Sequence, residues 1–316
     1  MIPTGNLRKP EFIEDDFISG LETALAKSWH PPWPLEISRV SQDAEHSLGY
    51  DGVLTSLVPF YIQFKASDFC LPQFTGATTG QRNTLGLPTN RGYYRFKLHK
   101  DKKTKRFDQH NALFKLGRSQ RVAYVAPMFY RKQQLTAFKQ MSLTLPWAYD
   151  DYMIYDHPMR RNYSIRSSRA FARCITIQPH RKIDDKEPSH YYSFNDTGNA
   201  GFHSDPENVE RGVQSLSQFL GYIGDAVFEN ADRNVSIRES LLKDIANVYE
   251  SNWENRAFLA TVRSTLLDLD LYPQKRKPNV REWVFETLET HHVLLMVESL
   301  LIEDFNIVQY LAKPMY

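Results

Sequence analysis

Two short runs hold the side chains best equipped for chemistry: Glu45-His-Ser-Leu-Gly-Tyr-Asp51-Gly52, and Pro59-Phe-Tyr-Ile-Gln63-Phe-Lys65-Ala-Ser67. In a strand, side chains alternate between faces, so Tyr61, Gln63 and Lys65 share one side while Ile62, Phe64 and Ala66 share the other. Burial is expected for the apolar side, which leaves an amide oxygen and an ammonium about 7 Å apart on the opposite one. A hairpin through Thr55–Pro59 that brings Asp51 beside Gln63 would set a carboxylate, a neutral oxygen ligand and a cation around one point. Those groups suit metal-assisted hydrolysis of a phosphodiester. Mg²⁺, or Mn²⁺ in its place, takes oxygen ligands, which Asp51, the Gln63 side chain and the Phe64 carbonyl can supply, with Glu45 as a further ligand or proton acceptor. The metal would polarise a phosphoryl oxygen and acidify a bound water. Lys65 would hold that water or stabilise developing negative charge.

Gly49-Tyr-Asp51-Gly52 and Tyr61-Ile-Gln63-Phe-Lys65 resemble the core of the PD-(D/E)XK nuclease superfamily, in the Asp…Gln-x-Lys form of Mrr-like restriction endonucleases. The resemblance covers the stretch from Phe12 to Met128 and nothing after it. It implies a restriction-endonuclease-like fold with an α-β-β-β-α-β core and divalent-metal-dependent cleavage of nucleic acid. DNA is implied ahead of RNA, and restriction or defence against foreign DNA is the implied biology. Two positions depart from the pattern: Gln63 stands for the usual second acid and adds no charge, and Tyr50 stands where a proline precedes the first Asp. Asp51 and Glu45 must then carry the metal's charge.

Other residues could serve the same chemistry. Gln109 and His110 open a helix that can face the site, although a lone His there also reads as a packed or capping residue. One basic stretch holds Lys100, Lys102, Lys103, Lys105 and Arg106; a second holds Arg160, Arg161, Arg166, Arg169 and Arg173 among Tyr163 and Phe171. Cations interleaved with aromatics suit phosphate contacts and base stacking. They equally describe a solvated loop tip and a surface strand. His291-His292 lies in an apolar helical run and reads as core or interface rather than as a metal site. Neither Cys70 nor Cys174 has a local His partner of the kind a nucleophilic thiol needs.

The elements that must position these groups follow from periodicity. Phe12–Trp29 reads as a helix with acids at its N-terminus, and the prolines of His30–Pro34 end it. Gly52–Leu57 and Pro59–Ala66 read as paired strands, Ser67–Gly92 as a long loop, Tyr93–His99 as a strand, Asp108–Leu116 as a helix and Val122–Met128 as a strand. Cys174–Gln178 reads as a further strand. From Pro206 onward the spacing predicts helices at Pro206–Ile223, Ser236–Glu250, Trp253–Leu269 and Val280–Leu311, with a break at Pro273–Pro278. The expected fold class is α/β (α+β): a restriction-endonuclease-like central mixed sheet flanked by helices, then a mainly helical C-terminal region. The expected division is a nuclease domain over residues 1–180 and a helical region over 181–316.

Charge supports that division. The net charge is only +2, yet residues 1–180 carry 25 Lys+Arg against 15 Asp+Glu, and residues 181–316 carry the reverse imbalance of 14 against 22. A basic first half suits a polyanion, whose counterions it would release. Packing of the acidic half on the basic half would explain the same asymmetry. Two cysteines in 316 residues exclude a disulfide framework. No run approaches the roughly 18 apolar residues of a membrane span, and Met1–Pro10 lacks the apolar stretch of a secretory signal. A cytoplasmic protein with no membrane partner is therefore expected. The apolar circumference of Val280–Leu311 suggests packing in its own domain, a homodimer interface or a partner protein. Two other functions fit the same residues: a catalytically degenerate nucleic-acid-binding protein of the same fold, and an interaction module of a multi-protein defence complex. Dinucleotide, P-loop, zincin and serine-hydrolase motifs are all missing.

Overall fold

The computed structural model describes residues 6–27, 35–40, 57–102, 104–143, 149–156, 161–184, 187, 189–209, 212–230, 237–275 and 277–314. Glu45, Asp51, Lys103 and Arg160 lie outside the described residues, as do Gly52–Ser56 of the expected hairpin.

The chain forms a mixed α/β fold around two six-stranded sheets. After β1 (Leu7–Arg8), helix α1 (Glu14–Lys27) begins with Glu14, Asp15 and Asp16, which complement its N-terminal dipole. Strands β2 (Leu35–Arg39), β3 (Val58–Phe64) and β4 (Asp68–Cys70) follow. Next come α2 (Ala77–Thr84), β5 (Tyr93–Lys97), α3 (Asp108–Leu116), β6 (Arg121–Pro127) and α4 (Lys132–Leu143). A hairpin of β7 (Tyr149–Asp156) and β8 (Arg161–Ser168) leads through α5 (Arg169–Ala172) to β9 (Cys174–Ile177). Four short strands follow: β10 (Tyr191–Phe194), β11 (Ala200–His203), β12 (Glu207–Val209) and β13 (Val213–Ser215). The chain then runs through α6 (Leu216–Asn230), α7 (Ile237–Val248) and α8 (Arg256–Asp268). A helical turn at Val280–Glu282 passes into a π-helical Trp283–Thr287 before α9 (Thr290–Phe305) and the closing strand β14 (Val308–Pro314).

The first sheet has the order β1-β4-β5-β10-β11-β12 and the second β13-β9-β6-β3-β14-β2. Within the second, β3 runs parallel to β6 and antiparallel to β14. The sheets meet through aromatic rings, with Phe96 of β5 and Tyr192 of β10 against Tyr124 of β6. Leu241, Val262, Leu294 and Leu301 of α7, α8 and α9 close that core. The other face of the second sheet, with Phe60, Ile62 and Phe64, buries Phe17 of α1, Phe138 of α4 and Phe219 of α6.

Several expectations are corrected. The strand after Pro59 takes β14, from the chain's far end, as its described antiparallel partner. Both faces of β3 are buried, because helices lie on one side of its sheet and a second sheet with helices on the other; a strand so placed reads as nearly continuous apolar sequence. Ser67–Gly92 contains β4 and α2 rather than one loop. Pro206–Ile223 divides into β12, β13 and the start of α6. Val280–Leu311 is interrupted at Leu288 and ends in β14, because Asn306 adopts a left-handed φ of 52° that terminates α9. The described residues of 181–316 therefore contribute five strands, four short ones and β14, beside their helices.

Gly92 meets a backbone demand that only glycine satisfies without strain. Its φ is +78°, and an added Cβ would lie 2.7 Å from the Cys70 carbonyl oxygen. Gly92→Ala is expected to cost at least about 1 kcal/mol, read from the urea midpoint.

Candidate functional site

The carboxyl end of β3 gathers the described part of the site. Lys65 continues the strand's pairing, its N–H donating to the Val125 carbonyl of β6 at 3.0 Å. Since hydrogen-bonding directions alternate along a strand, the Phe64 carbonyl points away from β6, beyond the Ile62–Val308 pair where β14 begins. The Phe64 ring packs in the opposite core against Phe17.

Gln63 is 1% exposed. Its Nε2 donates to Gln109 Oε1 and to the Phe305 carbonyl, each at 3.0 Å. Both amide hydrogens are thus used, and Oε1 is the atom left for a cation or a donor. Gln109 sits in the first turn of α3 and Phe305 ends α9, so one side chain ties two helices to the strand.

Lys65 is 7% exposed, with its ammonium 6.0 Å from the Tyr124 ring centroid. Burial lowers its pKa, and the nearby Glu14 carboxylate partly opposes that shift. Glu14 is held in place by the Ala66 N–H, which donates to Glu14 Oε1 at 3.0 Å. Sequence reasoning missed Glu14. Its only local signal is an acid in the first turn of a helix, which the helix dipole already explains.

Asp51 and Glu45 belong to the segment between β2 and β3, outside the described residues. Of the expected centre, the structure places Gln63, Phe64 and Lys65 together and adds Glu14. The amide oxygen, main-chain carbonyl and carboxylate are all hard oxygen donors, a set that fits Mg²⁺ or Mn²⁺. Among the described residues, Glu289, His291 and His292 bring candidate ligand atoms within 4.8 Å of one another. They are partly exposed at the start of α9 instead of buried in its core. Two imidazoles suit a softer transition metal and do not supply the oxygen-rich centre expected.

His110 belongs to the core. Its Nδ1 lies 2.8 Å from the Tyr124 hydroxyl and its Nε2 2.8 Å from the Arg181 carbonyl. Because that carbonyl can only accept, Nε2 carries the proton and Nδ1 accepts from Tyr124. Burial pushes the His110 pKa down to about 3.

The first basic stretch lies between β5 and α3, and the described part of the second runs through β8 and α5 to Arg173. Lys100 donates to the Glu187 carbonyl and lies over the Phe107 ring. Lys102 and Lys105 are exposed, and Arg106 pairs with Asp108 at 3.3 Å. Arg161 starts β8, in register with Asp156 of β7.

A second polar group, unforeseen in the sequence, lies between α2 and the first sheet. Arg82 donates to Ser193 Oγ at 2.6 Å and to the Pro88 carbonyl at 3.1 Å. Ser193 Oγ is 2.6 Å from His203 Nε2. Arg82 only donates to this hydroxyl, and His203 beside it is neutral. Burial, aided by Arg82 and Arg95, pushes its pKa down to about 3. Ser193 is fully buried, so the arrangement fastens α2 to the sheet.

These two histidines make the fold acid-sensitive. Above pH 6.5 they are neutral in both folded and unfolded chains; as pH falls toward 3, the unfolded chain binds protons that the folded one refuses. Each removes about 1.4 kcal/mol of stability per pH unit in that window. Glu298 works oppositely, since burial raises its pKa to about 7 and the folded chain gains a proton first. Urea unfolding from pH 7 to 4 is expected to show a net loss, and His110→Gln a shallower one. An identical slope in that variant would reject the assignment.

Among the described residues, no helix is long and apolar enough to cross a membrane. The chain matches no protein-family model, no curated protein and no solved structure.

Proposed function

We propose that this protein is a metal-dependent nuclease hydrolysing phosphodiester bonds, in DNA ahead of RNA, with a restriction-endonuclease-like core and a role in defence against foreign DNA in the cytoplasm. One observation carries the reading: a buried lysine with a lowered pKa closes a parallel strand beside Gln63 and Glu14. Ligands of open α/β sheets bind beyond the carboxyl ends of parallel strands, and perturbed titratable groups concentrate at functional sites.

Asp51, Gln63 Oε1, the Phe64 carbonyl and Glu45 would hold Mg²⁺ or Mn²⁺, and Glu14, whose carboxylate accepts from the Ala66 N–H, would add a further carboxylate. When bound, the ion supplies charge against the phosphoryl oxygens and acidifies water. Lys65 acts for the chain itself. Its lowered pKa lets the amine exchange a proton nearer neutrality than a solvated lysine does, and its ammonium form stabilises charge developing on the phosphate. Gln109 holds the Gln63 amide so that its oxygen is the free end.

A second reading has one observation in its favour. Gln63 spends both amide hydrogens anchoring α3 and α9, a structural use that fits a nucleic-acid-binding protein without turnover. Incubation with plasmid, linear and single-stranded DNA and with RNA, in Mg²⁺, Mn²⁺ or EDTA, separates the two. Cutting that needs metal and disappears in Asp51→Ala and Lys65→Ala, with folding intact, supports the nuclease. Salt-sensitive binding without cutting supports the second reading, and neither activity rejects both.

A further inference from the structure

Just past the carboxyl end of β6 the chain forms an open cavity of about 420 Å³, within the range of about 300–1,000 Å³ typical of ligand sites. Its wall is aromatic. Phe69 and Tyr94 lie 4.8 Å apart between ring centroids, and Tyr130 stacks behind Phe69 at 5.3 Å with the rings 4° from parallel. Rings supported in this way offer a planar ligand a rigid face to stack on.

The polar groups around that wall are selective. Gln134 Oε1 accepts from the N–H groups of Tyr130 and Arg131. Asn195 Oδ1 accepts from the N–H groups of Thr197 and Asn199 and from the Thr197 hydroxyl. With both oxygens engaged inside the protein, each amide has its NH₂ donors left for a ligand. Asp196 adds an exposed acceptor, and Arg91 and Arg173 add exposed cations at the rim. Asp196 and Arg173 act in opposite senses on the Tyr94 hydroxyl, whose pKa burial pushes up to about 12; all three groups therefore converge.

The cavity also adjoins the proposed catalytic lysine along the chain. Lys65 bonds to Val125, and three residues later Met128, a wall residue, donates to the Arg173 carbonyl at 2.9 Å. Three strand residues span about 10 Å.

We infer that this cavity receives one keto-bearing nucleobase of the substrate, guanine or thymine, stacked on one of the two rings, Phe69 or Tyr94, with the other, tilted 48° to it, at the base edge. The amide NH₂ groups donate to the base carbonyl, Asp196 accepts from the ring N–H, and Arg91 and Arg173 bind flanking phosphates. Adenine presents an amino donor where guanine carries its O6 acceptor, so it meets donors with a donor. This assignment rests on the nuclease reading for its substrate class.

Mononucleotide binding to the full chain in EDTA tests it apart from cleavage. Calorimetric titration with dGMP, TMP and dAMP is expected to show the two keto nucleotides bound at least tenfold more tightly than dAMP. Arg173→Gln, at an exposed position, should weaken all three at least fivefold. Asp196→Asn, also at an exposed position, should weaken dGMP and TMP while sparing dAMP. No binding at millimolar nucleotide, or binding indifferent to both Arg173→Gln and Asp196→Asn, overturns the assignment. Binding as expected from a chain that cuts nothing supports the cavity and rejects the nuclease. Metal-dependent cutting by a chain that binds no mononucleotide keeps the nuclease and rejects the cavity.

Discussion

A chain that stops at Phe305 is expected not to fold. Such a chain lacks β14, which occupies the interior of the second sheet and pairs with β3 on one side and β2 on the other. Without it β2 has no partner strand, and β3 exposes a row of unpaired backbone groups to water and to other chains. The strand also fills both cores. Leu311 packs with the inter-sheet cluster, while Val308, Tyr310 and Ala312 pack on the opposite side. The Tyr310 ring stacks on Phe60 at 5.5 Å, and its hydroxyl donates to Glu22 Oε1 at 2.9 Å. Each large apolar side chain removed from a core costs about 2–5 kcal/mol, so the loss of several matches the whole stability of about 5–15 kcal/mol typical of a domain. Tyr310→Ala alone is expected to cost about 3–5 kcal/mol. Circular dichroism and denaturant titration of the truncated chain decide the point; cooperative unfolding at the wild-type midpoint would refute it.

Lys65→Met is expected to separate activity from stability. If the lysine serves a developing phosphoryl charge, its removal should slow metal-dependent cleavage by at least about 10²–10³-fold. Stability should hold or rise. The ammonium is buried, and among the described residues Glu14 is the carboxylate that acts on it. Replacing a costly buried charge by an apolar side chain of similar volume is often neutral or stabilising. Lys65→Arg should not rescue turnover, because the guanidinium stays charged throughout and is broader than an ammonium. A Lys65→Met protein that melts several degrees lower and cuts at the wild-type rate would make the lysine structural.

Part of the fold and of the site was legible in the residues themselves. The acids of α1, the apolar spacing of α1, α3, α7 and α8, and the short runs that became β5, β6 and β9 all lie close to where periodicity places them. Such patterns are local, and the helical and strand periods that create them span only a few residues. Gln63 and Lys65 share a face for the same reason. Other features had no local signature. Val293–Val297, Leu300–Ile302 and Ile307–Ala312 are largely apolar pieces of one stretch, and a buried helix and a buried strand are indistinguishable in such short pieces until Asn306 turns the chain.

The sequence by itself determined which side chains at this site can do chemistry, and the succession α1, β3, β5, α3, β6 in the first 130 residues, but not β1, β2, β4 or α2. Tertiary structure alone decided that Lys65 is buried, since exposure of a strand face depends on which layers cover it. It also brought Glu14 of α1, Gln63 of β3 and Phe305 of α9 to one strand end. The cavity wall likewise draws Phe69, Tyr94, Gln134, Arg173 and Asn195 from five separate stretches. Residues that far apart meet only through the packing of whole elements, which no spacing of a few residues can encode.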